Sequence, residues 1–141
     1  MTIRRKVMII PYTEDGRVLT VRDKRTGEWG FISGGVKAKE PMADGAKREL
    51  EEETSGLFTS IPSFHRRIEI TTRYRPPELL SIDRARHENV KSVYYIYTFK
   101  VSNDNLPTFK PNNEVTELMF QYYDGLENTW EWCDHVFNKI I

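Results

Sequence analysis

The sequence has one cysteine, no net charge and no long hydrophobic run. Because Cys133 has no second cysteine with which to form an intrachain disulfide, we expect a reducing, cytoplasmic environment. The first apolar run covers only residues 7–10, which is too short for a signal peptide or a membrane span. Acidic and basic residues number 21 each, so the chain as a whole has no general attraction to nucleic acid or to a membrane surface.

The length and the apolar content indicate one ordinary domain. The chain has 141 residues, of which 38% are hydrophobic, and this is enough for a single core. We therefore predict one domain over residues 1–141 and no second domain. The sequence contains no internal repeat and no low-complexity tract.

Short apolar stretches separated by turn signals predict a sheet. Their composition and alternation predict strands at residues 6–12, 17–22, 29–32, 61–75, 92–101 and 118–122. Residues 92–101 are the best candidate for a central strand because they are strongly aromatic and β-branched. Residues 128–141 carry an apolar helical stripe, which would serve the core or the surface of a homodimer. Strands and helices together predict a mixed α/β fold.

Four glutamates lie within about one helical turn of each other: Glu49, Glu51, Glu52 and Glu53. In a helix over residues 41–54, Glu49 shares a face with Glu52 and Glu53 through i,i+3 and i,i+4 spacing. Such like charges repel each other, and they lie near the negative end of the helix dipole. Grouped carboxylate oxygens are ligands that Mg²⁺ or Mn²⁺ prefers, which predicts a metal site. A solvated acidic helix face is the alternative.

A glycine-containing loop leads directly into this helix. Gly34 and Gly35 end an apolar stretch, and Glu40 and Pro41 then open the helix, where proline suits the first turn. Backbone without side chains can come close to a phosphate or a metal. The loop and the carboxylates therefore indicate one shared site.

Together the loop and the helix resemble the signature of the Nudix hydrolases, G-x5-E-x7-R-E-U-x-E-E-x-G-U, where U is a bulky aliphatic residue. The matching positions are Gly34, Glu40, Arg48, Glu49, Leu50, Glu52 and Glu53. A match of this length and order is a specific signal. It has two departures. Ser55 stands where the signature has glycine, with Gly56 one place late, so we expect the helix to end with one extra residue. The family's usual Phe-Pro-Gly-Gly approach reads Phe-Ile-Ser-Gly here.

The resemblance implies a fold, a reaction and a cofactor. The implied fold is the Nudix-type α/β/α sandwich, with a mixed sheet, a catalytic loop-helix and a C-terminal helix. The implied reaction is hydrolysis of a nucleoside diphosphate linked to another group, by attack of water on a phosphorus atom. Mg²⁺ or Mn²⁺ is the implied cofactor.

Roles for individual residues also follow from the resemblance. Glu52 and Glu53 would ligate the metal, with Glu49 as a third ligand or as the group that orients the water. The main-chain carbonyl of Ser33 would make a further metal contact, and Arg48 would hold the carboxylates in register through ion pairs. A further glutamate would complete the site or act as a base. The candidates for it are Glu114 first, then Glu117 and Glu88.

Residues 61–75 form a predicted strand with a mostly basic outer row. Arg67, Arg73 and Arg75 lie on this row and would suit a polyanionic substrate, because guanidinium groups match phosphate oxygens. An ordinary exposed strand face is the alternative. Tyr74 is similar in position to a tyrosine of the dinucleoside polyphosphate hydrolases. The tyrosines of residues 92–101 could stack on a base, although core packing is the default expectation.

These features place a small nucleotide first among the substrates, of the dinucleoside polyphosphate, nucleotide sugar or nucleoside triphosphate type. A capped or triphosphorylated RNA 5′ end is an alternative, since it is also a polyanion, although zero net charge offers no broad surface for RNA. A non-catalytic nucleotide-binding regulatory module with the same fold is the alternative of another class. No membrane partner is expected.

Overall fold

The structure, a computed structural model, describes residues 2–72, 90–101 and 109–122. This part of the chain forms one α-helix and seven strands. They are β1 (Thr2–Thr13), β2 (Arg17–Asp23), β3 (Trp29–Gly30), β4 (Ile32–Gly35), α1 (Met42–Glu53), β5 (Ser63–Thr72), β6 (Val90–Val101) and β7 (Val115–Tyr122). The predicted C-terminal helix at residues 128–141 lies outside the described residues.

The seven strands form one mixed sheet. Its main order is β3-β2-β1-β6-β5, with β4 paired to β1 and β7 paired to β2. Strands β1 and β6 run parallel along their whole lengths, whereas the other pairs are antiparallel. The predicted α/β class with a mixed sheet is confirmed. Strand β6, predicted as the central strand, lies inside the sheet between β1 and β5, whereas β1 is the strand at its centre.

Helix α1 packs on one face of this sheet. Ala46 and Leu50 are fully buried in a cluster that includes Val7 and Ile9 of β1 and Tyr97 of β6. This packing holds the helix although its acidic residues repel each other. Within the described residues, no helix has the length and apolar character needed to cross a membrane.

The carboxyl end of α1 differs from the sequence prediction. Ser55 has a φ of 53°, in the left-handed region that glycine usually occupies at this position. The N–H of Gly56 donates to the carbonyl of Glu51 and that of Ser55 to the carbonyl of Glu52, which is the Schellman pattern. The expected extra helical residue is therefore wrong, because Ser55 itself takes the left-handed conformation and ends the helix where the signature glycine would.

Candidate active site

Arg48 ties the loop before α1 to the acidic face of the helix. Its guanidinium contacts the carboxylates of Glu40, Glu49 and Glu52 at 3.0, 2.9 and 3.2 Å, and donates to the carbonyl of Gly35 at 3.1 Å. The bonds from Arg48, supported by the N–H of Lys37, lower the pKa of Glu40 to about 2. Glu40 is thus a structural partner of Arg48, which in turn holds two further carboxylates of the helix.

Gly34 makes room for the carboxyl group of Glu49. A methyl group at Gly34 would lie closer to that carboxyl group than van der Waals contact allows, whereas one at Gly35 would meet no atom within 4 Å. The sequence predicted that the small loop residues admit a phosphate or a metal. Here Gly34 admits a carboxylate of its own chain. Burial raises the pKa of Glu49 and outweighs the opposing hydrogen bond from Arg48.

Glu53 is the most unusual carboxyl group of this site. Its side chain is buried, with 6% of the residue exposed, and its Oε2 atom has no hydrogen-bond partner among the residues that the structure describes. Burial, and then the neighbouring charges of Glu49 and Glu114, hold the pKa of Glu53 well above its ordinary value, against a hydrogen bond from the backbone of Ser33. A buried carboxylate oxygen without a partner is costly unless a ligand satisfies it.

Glu114 joins the two buried glutamates from a distant part of the sequence. One carboxylate oxygen from each of Glu49, Glu53 and Glu114 lies within 4.8 Å of the other two. Glu49 and Glu53 come from α1, while Glu114 directly precedes β7, where its carbonyl accepts a bond from the N–H of Lys24. We name Glu49, Glu53 and Glu114 the carboxylate cluster.

The carboxylate cluster fits a hard divalent cation. Mg²⁺ and Mn²⁺ prefer oxygen ligands, and two oxygens that bind one Mg²⁺ lie up to about 4 Å apart, close to the spacing seen here. The unpartnered Oε2 atom of Glu53 is the independent sign that a ligand belongs at this position, since three adjacent carboxylates repel each other without one.

The other predicted ligands lie around this cluster. Glu52 lies outside it, with a side chain 52% exposed and paired to Arg48. Ser33 lies beside it and meets Glu53 through its backbone. Glu117, the second choice for the further glutamate, instead pairs with Arg22 at 3.5 Å. Glu88, the third choice, lies outside the described residues. The metal and catalytic roles of these residues stay predictions.

Arg67 lies on the face of the sheet that carries the carboxylate cluster. Gly34 of β4 pairs with Val7 of β1, Val7 with Tyr95 of β6, and Tyr95 with Arg67 of β5. Directly paired residues point to the same side of a sheet, and three strand spacings amount to about 14 Å. A hydrogen bond with Tyr95 and another with Glu69 raise the pKa of Arg67, whose side chain is about half exposed. The predicted substrate residues Arg73, Tyr74 and Arg75 lie outside the described residues.

Sequence reasoning missed two residues near this surface. Phe64 of β5 pairs with Tyr97, packs against its ring at a centroid distance of 5.6 Å with the two rings tilted, and remains half exposed. The alternation of residues in β5 places this ring on one face of the sheet, but it does not indicate which face carries the candidate site. The second residue, Asn112, bonds both to the end of α1 and to Glu114 and Val115 at the start of β7. Asparagine beside proline indicates only a turn in the sequence.

Comparison with solved structures shows the same fold in proteins of low sequence identity. A MutT protein from Methanosarcina mazei Go1 matches with a TM-score of 0.71 and 18% identity, over 99% of this chain and 93% of the other. A MutT NUDIX hydrolase from Burkholderia pseudomallei matches with a TM-score of 0.65 and 20% identity over 100% of both chains. An Ap4A hydrolase from C. elegans matches with a TM-score of 0.63 and 14% identity, over 99% of this chain and 94% of the other.

Among curated proteins, none matches the chain in sequence. The sequence model of the NUDIX domain, by contrast, matches residues 2–137. This match covers the carboxylate cluster, the Arg48 network and the sheet on which they lie, and it confirms the resemblance inferred from the signature. The chain therefore belongs to the NUDIX domain family and is a Nudix-type hydrolase.

Proposed function

We propose that this protein hydrolyses a pyrophosphate bond in a nucleoside diphosphate linked to another group, in a reaction that requires Mg²⁺ or Mn²⁺. The observation that carries the proposal is the buried, unpartnered Oε2 atom of Glu53 beside the carboxylates of Glu49 and Glu114. A purely structural acidic helix face would keep these groups in water, because burying like charges together destabilises the fold.

Each residue of the site has a distinct task in this reaction. Glu49, Glu53 and Glu114 would hold the cation, and Glu52, more exposed, would be available as a further ligand from the solvent side. When bound, a divalent cation would neutralise charge on the pyrophosphate oxygens and make water a better nucleophile near neutral pH. Arg48 keeps the carboxylates in register, and Ser33 contributes its backbone next to Glu53.

In this proposal the substrate binds on the face of the sheet between the carboxylate cluster and β5, along the paired residues Val7, Tyr95 and Arg67. Arg67 would contact a phosphate, since a guanidinium donates to two oxygens at once. The half-exposed ring of Phe64 and the partly buried Tyr95 would contact a base. Tyr94 and Tyr97 are buried, in line with the default expectation of core packing for these two.

The Ap4A hydrolase and UDP-X diphosphatase structures that share the fold bear the names of nucleotide substrates. They support a nucleotide-type substrate, and a dinucleoside polyphosphate, a nucleotide sugar or a nucleoside triphosphate is the class we put first. An RNA 5′ end as substrate, a homodimer and a cytoplasmic location stay predictions. A non-catalytic binding module is disfavoured because the signature carboxylates are all present.

Product analysis on a substrate panel tests the proposal. The purified protein is incubated with dinucleoside polyphosphates, ADP-ribose, a UDP-sugar, nucleoside triphosphates and capped RNA, with Mg²⁺, with Mn²⁺ or with EDTA. We expect metal-dependent cleavage of at least one small nucleotide, and the products identify the bond that breaks. Cleavage of capped RNA alone would favour the RNA alternative. Binding of a nucleotide without any cleavage, unaffected by EDTA, would favour the non-catalytic module.

A further inference from the structure

The side chain of Asn112 joins the end of α1 to the start of β7. Its Nδ2 group donates to the main-chain carbonyls of Glu52 and Glu53, at 3.1 Å each. Its Oδ1 atom accepts from the N–H groups of Glu114 and Val115, at 2.9 Å each. One amide group thus bonds to the backbone of two members of the carboxylate cluster, Glu53 and Glu114, which are 61 residues apart in sequence.

The hydrogen bonds fix the orientation of this amide. If the oxygen and nitrogen of Asn112 were exchanged, the NH₂ group would face two N–H donors and the oxygen would face two carbonyls. Only asparagine supplies both a double acceptor and a double donor at this distance from the backbone. An aspartate of the same shape would keep the acceptor side and lose the donor side.

Ser55 adds a second connection between the same two segments. Its hydroxyl donates to the carbonyl of Lys110 at 2.6 Å and lies 3.1 Å from the Nδ2 atom of Asn112. The Asn112 bonds use carbonyls of the last turn of α1, which accept no bond from within the helix itself, and the Ser55 bond uses the hydroxyl of the residue that ends the helix. The helix end and the loop before β7 are therefore held together at the position where Glu114 meets Glu53.

Glu114 needs such support because it is exposed and because the other two cluster members belong to a different element. We propose that Asn112 is a positioning residue, which holds the Glu114 carboxylate against Glu49 and Glu53 and so completes the cation site. This inference rests on the proposed function, and it adds a residue outside the signature to the machinery of the site.

The test compares Asn112→Ala with Asn113→Ala, and Asn112→Asp with Asn113→Asp. Asn113 is exposed, belongs to the same loop, and makes no side-chain hydrogen bond seen within the described residues. The second pair matches the added negative charge, which alone would change cation affinity. Mn²⁺ affinity is measured by electron paramagnetic resonance. The values of kcat and KM are measured by steady-state kinetics with a nucleotide that the wild type cleaves. Both measurements use a temperature at which circular dichroism shows every variant to be folded.

We expect both Asn112 variants to bind Mn²⁺ about 10-fold more weakly than their Asn113 counterparts, and kcat to fall with little change in KM. We also expect Asn112→Ala to have little further effect in a Glu114→Gln background, because both changes remove the same interaction. A role only in capping the helix would lower the melting temperature, leave Mn²⁺ affinity and kcat of the folded protein unchanged, and give the same effect in both backgrounds.

Two results would overturn the proposal in different ways. If the Asn112 and Asn113 variants bind Mn²⁺ equally well, or if the effects of Asn112→Ala and Glu114→Gln simply add, Asn112 does not act through Glu114. If the wild-type protein neither binds Mn²⁺ nor cleaves any nucleotide of the panel, the proposed function fails and this inference fails with it.

Discussion

At the scale of the single residue, Glu53 illustrates how the proposed metal site would lower the stability of the metal-free protein. Its carboxyl group is buried next to two others, and one of its oxygens has no hydrogen-bond partner in the described part of the chain. The helix position of Glu53 follows from the signature, whereas its burial does not, because a run of glutamates on a helix is equally typical of a solvated face. A bound cation would offset the free-energy cost of burying this charge, and a neutral side chain at position 53 would avoid it.

Glu53→Gln should therefore stabilise the protein in EDTA at neutral pH. Burial raises the pKa of Glu53 above 4.5, its ordinary value, so the cost of burying this group is absent below that pH and grows as the pH rises towards its folded-state pKa. Glutamine stays neutral throughout. Urea denaturation in EDTA should show Glu53→Gln more stable by about 1–3 kcal/mol at pH 7 and no different at pH 4.

The same measurement with Mn²⁺ serves as the control. Only the wild type gains stability from a cation that binds the folded state, so the difference should shrink or reverse. Equal stability of the two proteins at pH 7 in EDTA would contradict the electrostatic account of Glu53.

Gly34→Ala should disable the site through Glu49. The added methyl group would overlap the Glu49 carboxyl group and force it away from Glu53 and Glu114, while Gly35→Ala places its methyl in open space and serves as the control. We expect kcat to fall about 10- to 100-fold for Gly34→Ala and to change little for Gly35→Ala. Equal kinetics of the two variants would show that Glu49 does not need this position.

At the scale of the element, the signature predicts the position of α1 but not how the helix ends. The spacing of the signature predicts the helix at residues 41–54, and it runs over Met42–Glu53. The expectation of an extra helical residue came from Gly56, which follows the signature glycine position one place late, whereas in the structure Ser55 itself takes the positive φ. The bonds from Ser55 to the loop before β7 come from residues more than fifty positions away, so they are not visible in the local sequence.

Two substitutions at Ser55 separate backbone strain from hydrogen bonding. Both Ser55→Gly and Ser55→Ala lose the hydroxyl that bonds to Lys110, but only alanine keeps the penalty of a side chain at positive φ. We expect Ser55→Gly to be more stable than Ser55→Ala by about 1 kcal/mol in urea denaturation. An alanine variant as stable as the glycine variant would contradict the assignment of a left-handed helix end.

Strand β5 carries a prediction about substrate binding. Arg67 pairs with Tyr95 and points to the face of the carboxylate cluster, whereas Arg66 pairs with Ile96 and points to the other face. Arg67→Ala should raise KM about tenfold and leave kcat nearly unchanged, because the lost contact is equally strong in the ground state and in the transition state. Steady-state kinetics with Arg66→Ala as control tests this, and equal KM values for the two variants would remove Arg67 from the binding surface.

At the scale of the whole molecule, the sheet was largely predictable and the assembly of the site was only partly so. Alternating apolar residues predicted most strands, and the aromatic run 92–101 identified a strand that lies inside the sheet, next to the central β1. The meeting of Glu114 with Glu49 and Glu53 depends on how β7 pairs with β2 and on the bonds of Asn112. Such contacts between distant segments leave no periodic signal, and only the resemblance to a family pointed to Glu114.

The most direct test of the account compares Glu53→Gln with Glu51→Gln in metal-dependent hydrolysis. Glu51 belongs to the same helix and pairs with Lys47 on its surface, away from the cluster, so it matches the change in charge. With the nucleotide that the panel identifies and Mn²⁺ present, we expect Glu51→Gln to keep nearly the wild-type rate and Glu53→Gln to lose about 100-fold or more. Equal rates for the two variants, or a wild-type rate unaffected by EDTA, would contradict the proposed metal-dependent hydrolysis.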